Sequence, residues 1–199
     1  MKRKRKMFSD LRKLGLKFPV IYADPAWTFT TYSRKGAGRS AERHYKTMTL
    51  EQIKRMPVAE LARDDCVLLL WATIPLLPQA LEVITAWGFT YKTVAFMWVK
   101  QNKKSAGIFK GLGYWTRANA EPCLLATKGK PKRKSKSVGQ VIISPLRAHS
   151  EKPEEAIRRI EQLVDGPYLE LFARKVGTSS QWRAWGEEAR RRDTLWERE

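Results

Sequence analysis

Histidine and cysteine are almost missing from this chain: two histidines, His44 and His149, and two cysteines, Cys66 and Cys123, in 199 residues. No Cys-x-x-Cys spacing occurs, so a zinc site lacks ligands and no metal is expected. Both cysteines lie in apolar, strand-like runs, where a thiol serves as a small hydrophobe, so no disulfide framework is expected either. A membrane span is also lacking. The longest apolar run, "CVLLLWATIPLLP" at 66–78, is interrupted by Thr73, Pro75 and Pro78 and is too short to cross a bilayer. The opening "MKRKRKMFSDL" has charge but no apolar stretch behind it, as a secretory signal requires, and the chain is expected to act inside the cell. Acid is the remaining deficit. Twenty Asp and Glu face 39 Lys and Arg, a net charge of +19. An excess of that size points to a polyanionic partner, nucleic acid first.

What is present is a β/α alternation in a chain long enough for one domain. "FPVIYAD" (18–24), "CVLLLWA" (66–72), "YKTVAFMWVK" (91–100), "EPCLLATKG" (121–129), "QVIIS" and "YLELFAR" (168–174) are predicted strands. The nearly continuous apolar character of 66–72 suits a strand covered on both faces. Between them, Thr49 and Gln52 stand at capping-box spacing before a helix. Leu77, Leu81 and Ile84 form a helical stripe closed by Gly88. Ala156, Ile157, Ile160, Leu163 and Val164 form another behind Pro153. "SSQWRAWGEEARRR" is predicted as the last helix. The pattern gives an α/β fold: a mostly parallel sheet with helices on both faces, binding its ligands at the carboxyl ends of the strands. Trp71, Trp87 and Trp98 lie in these apolar elements and are predicted to be core.

Three segments depart from that regularity and are expected to be mobile loops: 28–48, 101–118 and 128–139. The second mixes glycines and cations with Tyr114 and Trp115. The third opens on six basic residues and no acid over 128–137. With "KRKRK" at the start, these runs are candidates for phosphate contact, Lys132, Arg133 and Lys134 foremost.

The first strand delivers Asp24, Pro25 and Trp27 to one strand end. An exocyclic amine on a nucleobase is a poor nucleophile because its lone pair is delocalised into the ring. The Asp24 carboxylate and the Pro25 carbonyl could accept its two N–H bonds, with proline fixing the backbone. Trp27 could stack on the base, a contact worth on the order of 1–3 kcal/mol. By itself an Asp-Pro pair is also an ordinary turn starter.

Beyond this residue-level chemistry, the order of motifs resembles the N6-adenine methyltransferase family that includes the catalytic subunit of the messenger-RNA adenosine methyltransferase, whose bacterial and phage members act on DNA. "ADPAW" is similar to its Asp-Pro-Pro-Trp motif, "HYKTMT" to its Tyr-x-Thr-Met, "LLLWAT" to its Leu-Trp-x-Thr strand and "AWGF" to its helix end. "EPCLLATKG", "HSEKPEE", "YLELFAR" and "WRAWGEE" follow in the family's order. The resemblance implies a Rossmann-like fold over 17–190, between a basic arm (1–16) and a charged tail (191–199). It implies S-adenosylmethionine as methyl donor and the adenine N6 amine as acceptor; DNA is expected before RNA as the substrate, and a monomer or homodimer as the form of the protein.

By resemblance, Asp24 and Pro25 bind the amine, and Trp27 and Tyr45 flank the base. Glu121 and Lys152 approach the substrate and cofactor ends of the cleft, while Phe172, Arg174 and Glu187 line the cofactor pocket together with Asp24. A donor bearing a carboxylate and a sulfonium needs cations and acceptors side by side, which Lys152, Arg174 and Asp24 could supply. Two residues depart from the family pattern. Ala26 replaces the second proline, softening the loop, and Glu187 replaces an asparagine, so that it can accept from ribose hydroxyls but not donate. The alternative is a catalytically silent nucleic-acid-binding module on the same fold.

Overall fold

The computed structural model describes residues 8–12, 14–28, 47–113, 115–148, 151–174, 180–186 and 189. The apolar runs form seven strands: β1 (Phe18–Ala23), β2 (Ala62–Trp71), β3 (Thr90–Gln101), β4 (Ala120–Lys128), β5 (Val141–Pro145), β6 (Tyr168–Leu171) and β7 (Trp182–Trp185). They join in one sheet of order β5-β3-β4-β2-β1-β6-β7. The β1–β2, β1–β6, β6–β7 and β3–β5 pairs are parallel, while β4 runs antiparallel to both of its neighbours, β2 and β3. The architecture is thus mixed α/β on a mostly parallel sheet.

Successive strand side chains point to opposite faces, and both faces are covered. Ile21, Leu68, Leu70, Leu124 and Leu169 face one core with buried residues of α2 (Leu50–Lys54), α3 (Val58–Leu61) and α4 (Leu77–Ala86). Val20, Tyr22, Leu69, Trp71, Phe96, Trp98 and Cys123 face the other, closed by Ala156 and Ile160 of α5 (Glu154–Leu163) and Val164 just beyond it. Both cysteines are buried free thiols. Burial pushes the Cys66 thiol up to about 12, which leaves it a poor nucleophile.

The capping box forms as its spacing predicts: Gln52 N–H donates to Thr49 Oγ1 at 3.2 Å, and Thr49 N–H to Gln52 Oε1 at 2.9 Å. Helix α4 ends as predicted at Gly88, whose φ of +81° suits glycine. Its buried stripe differs, however. Ala80, Val83 and Ile84 are buried while Leu81 is exposed. The helix offers two overlapping apolar stripes. The one that buries Trp87 wins, with Trp87 Nε1 donating to the Ile53 carbonyl at 2.9 Å.

The last predicted helix is corrected: residues 182–185 form β7 at the sheet edge. Trp182 and Trp185, three apart, mimic a helical repeat, but they are used on opposite faces. Trp182 stacks on Tyr168 with ring centroids 4.6 Å apart, whereas Trp185 packs edge-on to Phe172 and donates Nε1–H to Asp10 Oδ2 at 2.6 Å. Part of the expected amino-terminal arm is described as well. Residues Ser9–Arg12 form α1, Leu11 is fully buried, and Arg12 pairs with Glu60.

The reversed β4 decides which residues share an edge. Trp71 pairs with Cys123 and Trp98 with Glu121, so β4 begins where β2 and β3 end. Its last residue, Lys128, pairs with Cys66 toward the opposite edge.

Candidate active site

Asp24 follows the last residue of β1, between the ends of β2 and β6, and its N–H donates to the Leu171 carbonyl at 3.4 Å. Its Oδ2 accepts from Lys152 Nζ at 2.7 Å. The same ammonium lies 3.1 Å from Glu121 Oε1, and Glu121 Oε2 lies 2.7 Å from Lys100 Nζ. Four alternating charges, Asp24, Lys152, Glu121 and Lys100, therefore span the carboxyl edge from β1 to β3. The lysines also face rings: Lys152 lies 5.6 Å from the Trp71 centroid and Lys100 4.9 Å from that of Trp98.

Burial sets the electrostatics of this chain of charges. The Lys152 side chain is only 9% exposed. Desolvation, the largest effect, would lower its pKa, but Asp24 and Glu121 together outweigh it and raise the pKa, so Lys152 stays a cation. Glu121 is likewise opposed by burial, yet Lys152 and Lys100 hold it below the ordinary carboxylate value. Asp24 differs. Burial raises its pKa, Glu121 adds to that, and Lys152 and Arg174 only partly offset it. Lys152 is thus a clamp rather than a surface lysine, and Asp24 is more ready than Glu121 to take a proton.

Residues 18–188 of the chain match MT-A70. The chain belongs to the MT-A70 family. Its relatives include the type II methyltransferase M.MunI of Mycoplasma sp, 32% identical over 190 residues covering 85% of this chain and 77% of the relative. The N(6)-adenosine-methyltransferase catalytic subunit METTL3 of Homo sapiens is 31% identical over 178 residues, covering 88% of this chain and 28% of the relative. An N(6)-adenosine-methyltransferase MT-A70-like protein of Arabidopsis thaliana is 30% identical, with 85% and 23% covered. The chain thus spans less than a third of the human and Arabidopsis relatives.

Within this MT-A70 chain the structure brings Asp24, Glu121 and Lys152 into direct contact. Arg174 lies near enough to depress the Asp24 pKa. Phe172, directly after β6, has a φ of +65°, a left-handed conformation unusual for a residue with a side chain. Its neighbour Ala173 is fixed by an N–H bond to the Trp185 carbonyl at 2.9 Å. Pro25 is buried, and its carbonyl already accepts the Trp27 N–H at 2.8 Å, which leaves one lone pair for a ligand.

Trp27 requires a correction. The indole is 7% exposed, belongs to the core, and donates Nε1–H to the Trp71 carbonyl at 3.1 Å. With so little face available it acts as a pin for the Asp24 loop rather than as a platform for a base. Ala26 completes the pin, its carbonyl accepting the Met48 N–H at 2.9 Å. Trp27→Ala is accordingly expected to cost about 3–5 kcal/mol of stability, read as a lowered urea midpoint.

Lys132, Arg133 and Lys134, expected as phosphate contacts, lie away from the carboxyl edge. Lys134 N–H donates to the Leu163 carbonyl at 2.7 Å and its Nζ pairs with Asp165 at 3.2 Å, at the carboxyl-terminal end of α5. Lys130 N–H donates to Asp65 Oδ1 at 2.7 Å, beside the start of β2. The nine-residue β4 separates this run from Glu121 by roughly 25–30 Å. Tyr45 and Glu187 fall outside the described residues.

Three further polar residues carry little signal in the sequence. Lys100 ends the charge chain. Thr73, two residues past β2, carries a buried hydroxyl with no hydrogen-bond partner among the described residues; the Trp-Ala-Thr stretch was its only signal. Glu170, a lone acid in the apolar β6, has its pKa pushed up to about 7, first by burial and then by Asp24. Because the folded value lies above the ordinary 4.5, Glu170 favours the fold below that ordinary value. Its contribution is lost as pH rises towards 7. Glu170→Gln is expected to leave stability unchanged near pH 4 and to add about 3 kcal/mol near pH 8, measured by urea unfolding at both.

Proposed function

We propose that this chain is an S-adenosylmethionine-dependent methyltransferase of Rossmann-like fold that methylates the N6 amine of adenine in nucleic acid, DNA rather than RNA. The observation that carries the reading is Asp24, held by a buried lysine at a strand end and followed by a rigid proline carbonyl. Family membership supports the reaction. The choice of DNA rests on the bacterial branch of the resemblance and on a type II methyltransferase being matched over most of its length.

The site's donor set fits the methyl donor. Asp24 and Glu170 are acceptors for positive charge, Lys152 and Arg174 are cations for a carboxylate, and the buried Thr73 hydroxyl lacks a partner among the described residues. When bound, the donor supplies an electrophilic methyl group on a positively charged sulfur. Asp24 and the Pro25 carbonyl accept the two N–H bonds of the amine and so orient its lone pair. Lys152 fixes the Asp24 rotamer through Oδ2. The raised pKa of Asp24 suits it to receive the proton that the methylated amine gives up. Phe172, next to the Leu171 carbonyl that accepts the Asp24 N–H, would line the donor's pocket.

Mass spectrometry of nucleosides after incubating the protein and donor with DNA, and separately with RNA, tests this. N6-methyladenine in DNA is the expected product. Product in RNA alone overturns the choice of DNA, and none in either overturns the enzyme.

The distal basic run then serves only substrates long enough to reach it. Neutralising Lys132, Arg133, Lys134 and Lys136 together should flatten the salt dependence for duplexes of about 60 base pairs and leave oligomers of about 10 unaffected, because each lost phosphate contact releases one fewer counterion. Turnover at saturating substrate should be unchanged, as followed by methyl transfer in parallel with filter binding.

A further inference from the structure

The connection from β3 to β4 leaves and re-enters the sheet at the carboxyl edge, rooted on Lys100 and Glu121 of the charge chain. Its path is built by backbone bonds. Gln101 bridges Ile108, Phe109 N–H donates to the Lys100 carbonyl at 2.8 Å, and Gly111 N–H donates to the Ala118 carbonyl at 2.9 Å. Lys100 N–H closes the base on the Asn119 carbonyl at 2.8 Å. The tip admits no side chain at Gly113, where a Cβ would collide with the Thr116 carbonyl and lie 2.8 Å from Ala118 N.

At that tip Trp115 takes a φ of +67° and is 94% exposed. A large residue in this conformation is costly, and its apolar surface lies wholly in water. No packing in the described structure compensates for either. The same loop carries Lys103, Lys104, Lys110 and Arg117, all exposed, and residues 101–120 contain no acid.

We propose that this loop grips the substrate strand, Trp115 stacking on a base next to the target adenine while the four cations meet the flanking phosphates. An aromatic face ringed by cations is how proteins hold unpaired bases without reading their sequence. A protein partner fits less well, since the core of such an interface is depleted of lysine and charge. The inference rests on the nucleic-acid substrate proposed above and names the element that holds it.

The test uses the full chain, Trp115→Ala, Trp115→Phe, and a fluorescein-labelled single-stranded DNA of mixed sequence and about 20 nucleotides. Anisotropy should show Trp115→Ala binding about 5- to 100-fold more weakly, with Trp115→Phe recovering most of the loss. The KM for DNA should rise in Trp115→Ala with kcat little changed, and S-adenosylmethionine affinity by calorimetry should equal that of the unaltered protein. Unchanged DNA affinity in Trp115→Ala overturns the inference. So does unchanged DNA affinity with an altered sedimentation coefficient, which would make the loop a contact between protein chains. Failure of the unaltered protein to bind or methylate DNA overturns the proposed function first, and this inference with it.

Discussion

Methyl transfer by Asp24→Ala is expected to fall by at least about a hundred- to a thousand-fold, the range for removing one preorganised group aimed at developing charge. The geometry supports the upper part of that range. In the proposed mechanism Asp24 supplies the acceptor for the amine and receives its proton, and it also holds Lys152 by the 2.7 Å bond. Asp24→Asn keeps a carbonyl oxygen at the same place but neither the charge nor the ability to take the proton, and should lie between the parent and the alanine variant. The loss should appear in kcat, with nucleic-acid affinity retained, because phosphate contacts come from other parts of the surface. Single-turnover methylation alongside anisotropy measures both. A variant that methylates normally would remove Asp24 from the chemistry.

Lys152→Met should have the second largest effect, and it is one of folding as well as activity. Removing the ammonium leaves Asp24 and Glu121 facing each other in a buried setting, and breaking such a pair costs about 3–5 kcal/mol. The cost depends on pH with a definite sign. In the parent, Glu121 is held below the ordinary carboxylate value. Its contribution is therefore present above that value and lost as pH falls through the lowered one. Without Lys152 both carboxyl groups lose an influence that lowers their pKa, and their ionisation disfavours the fold as pH rises. The deficit should be large near pH 8 and small near pH 4.5, as read by urea unfolding at both. A second variant, Asp24→Asn with Lys152→Met, should recover part of the stability at pH 8 without recovering activity.

The elements legible in the sequence are those whose signal is local. Strands β1, β2 and β4 announce themselves as apolar runs, and the Thr49–Gln52 cap as a spacing. Asp24 is visible because an acid after such a run has little structural excuse. Lys152 and Glu121 became legible only through motif order, since nothing in "HSEKPEE" says that its lysine turns inward. What was hidden depends on direction and exposure. Trp27 reads as a stacking surface until its indole N–H is seen bonded to the Trp71 carbonyl. The basic run follows "EPCLLATKG" directly, and only the reversed direction of β4 sends it away from the site that Glu121 joins. Trp182 and Trp185 misled because spacing alone cannot separate a helical repeat from two faces of an edge strand.

The place of β4 also governs how the chain can acquire its fold as it is synthesised. Strands β2 and β3 precede β4 in sequence yet never pair with each other, for β4 lies between them. Until about residue 128 has left the ribosome, each therefore presents an unpaired edge, and they can pair wrongly with one another. Cohesion of the sheet then waits on contacts between distant parts of the chain, which form slowly. A nascent chain arrested before β4 should remain open to proteases, and one arrested after β6 should not. The strand that carries Glu121 to Lys152 is also the one that joins β3 to β2, so that the charge chain of the site cannot exist before that join is made.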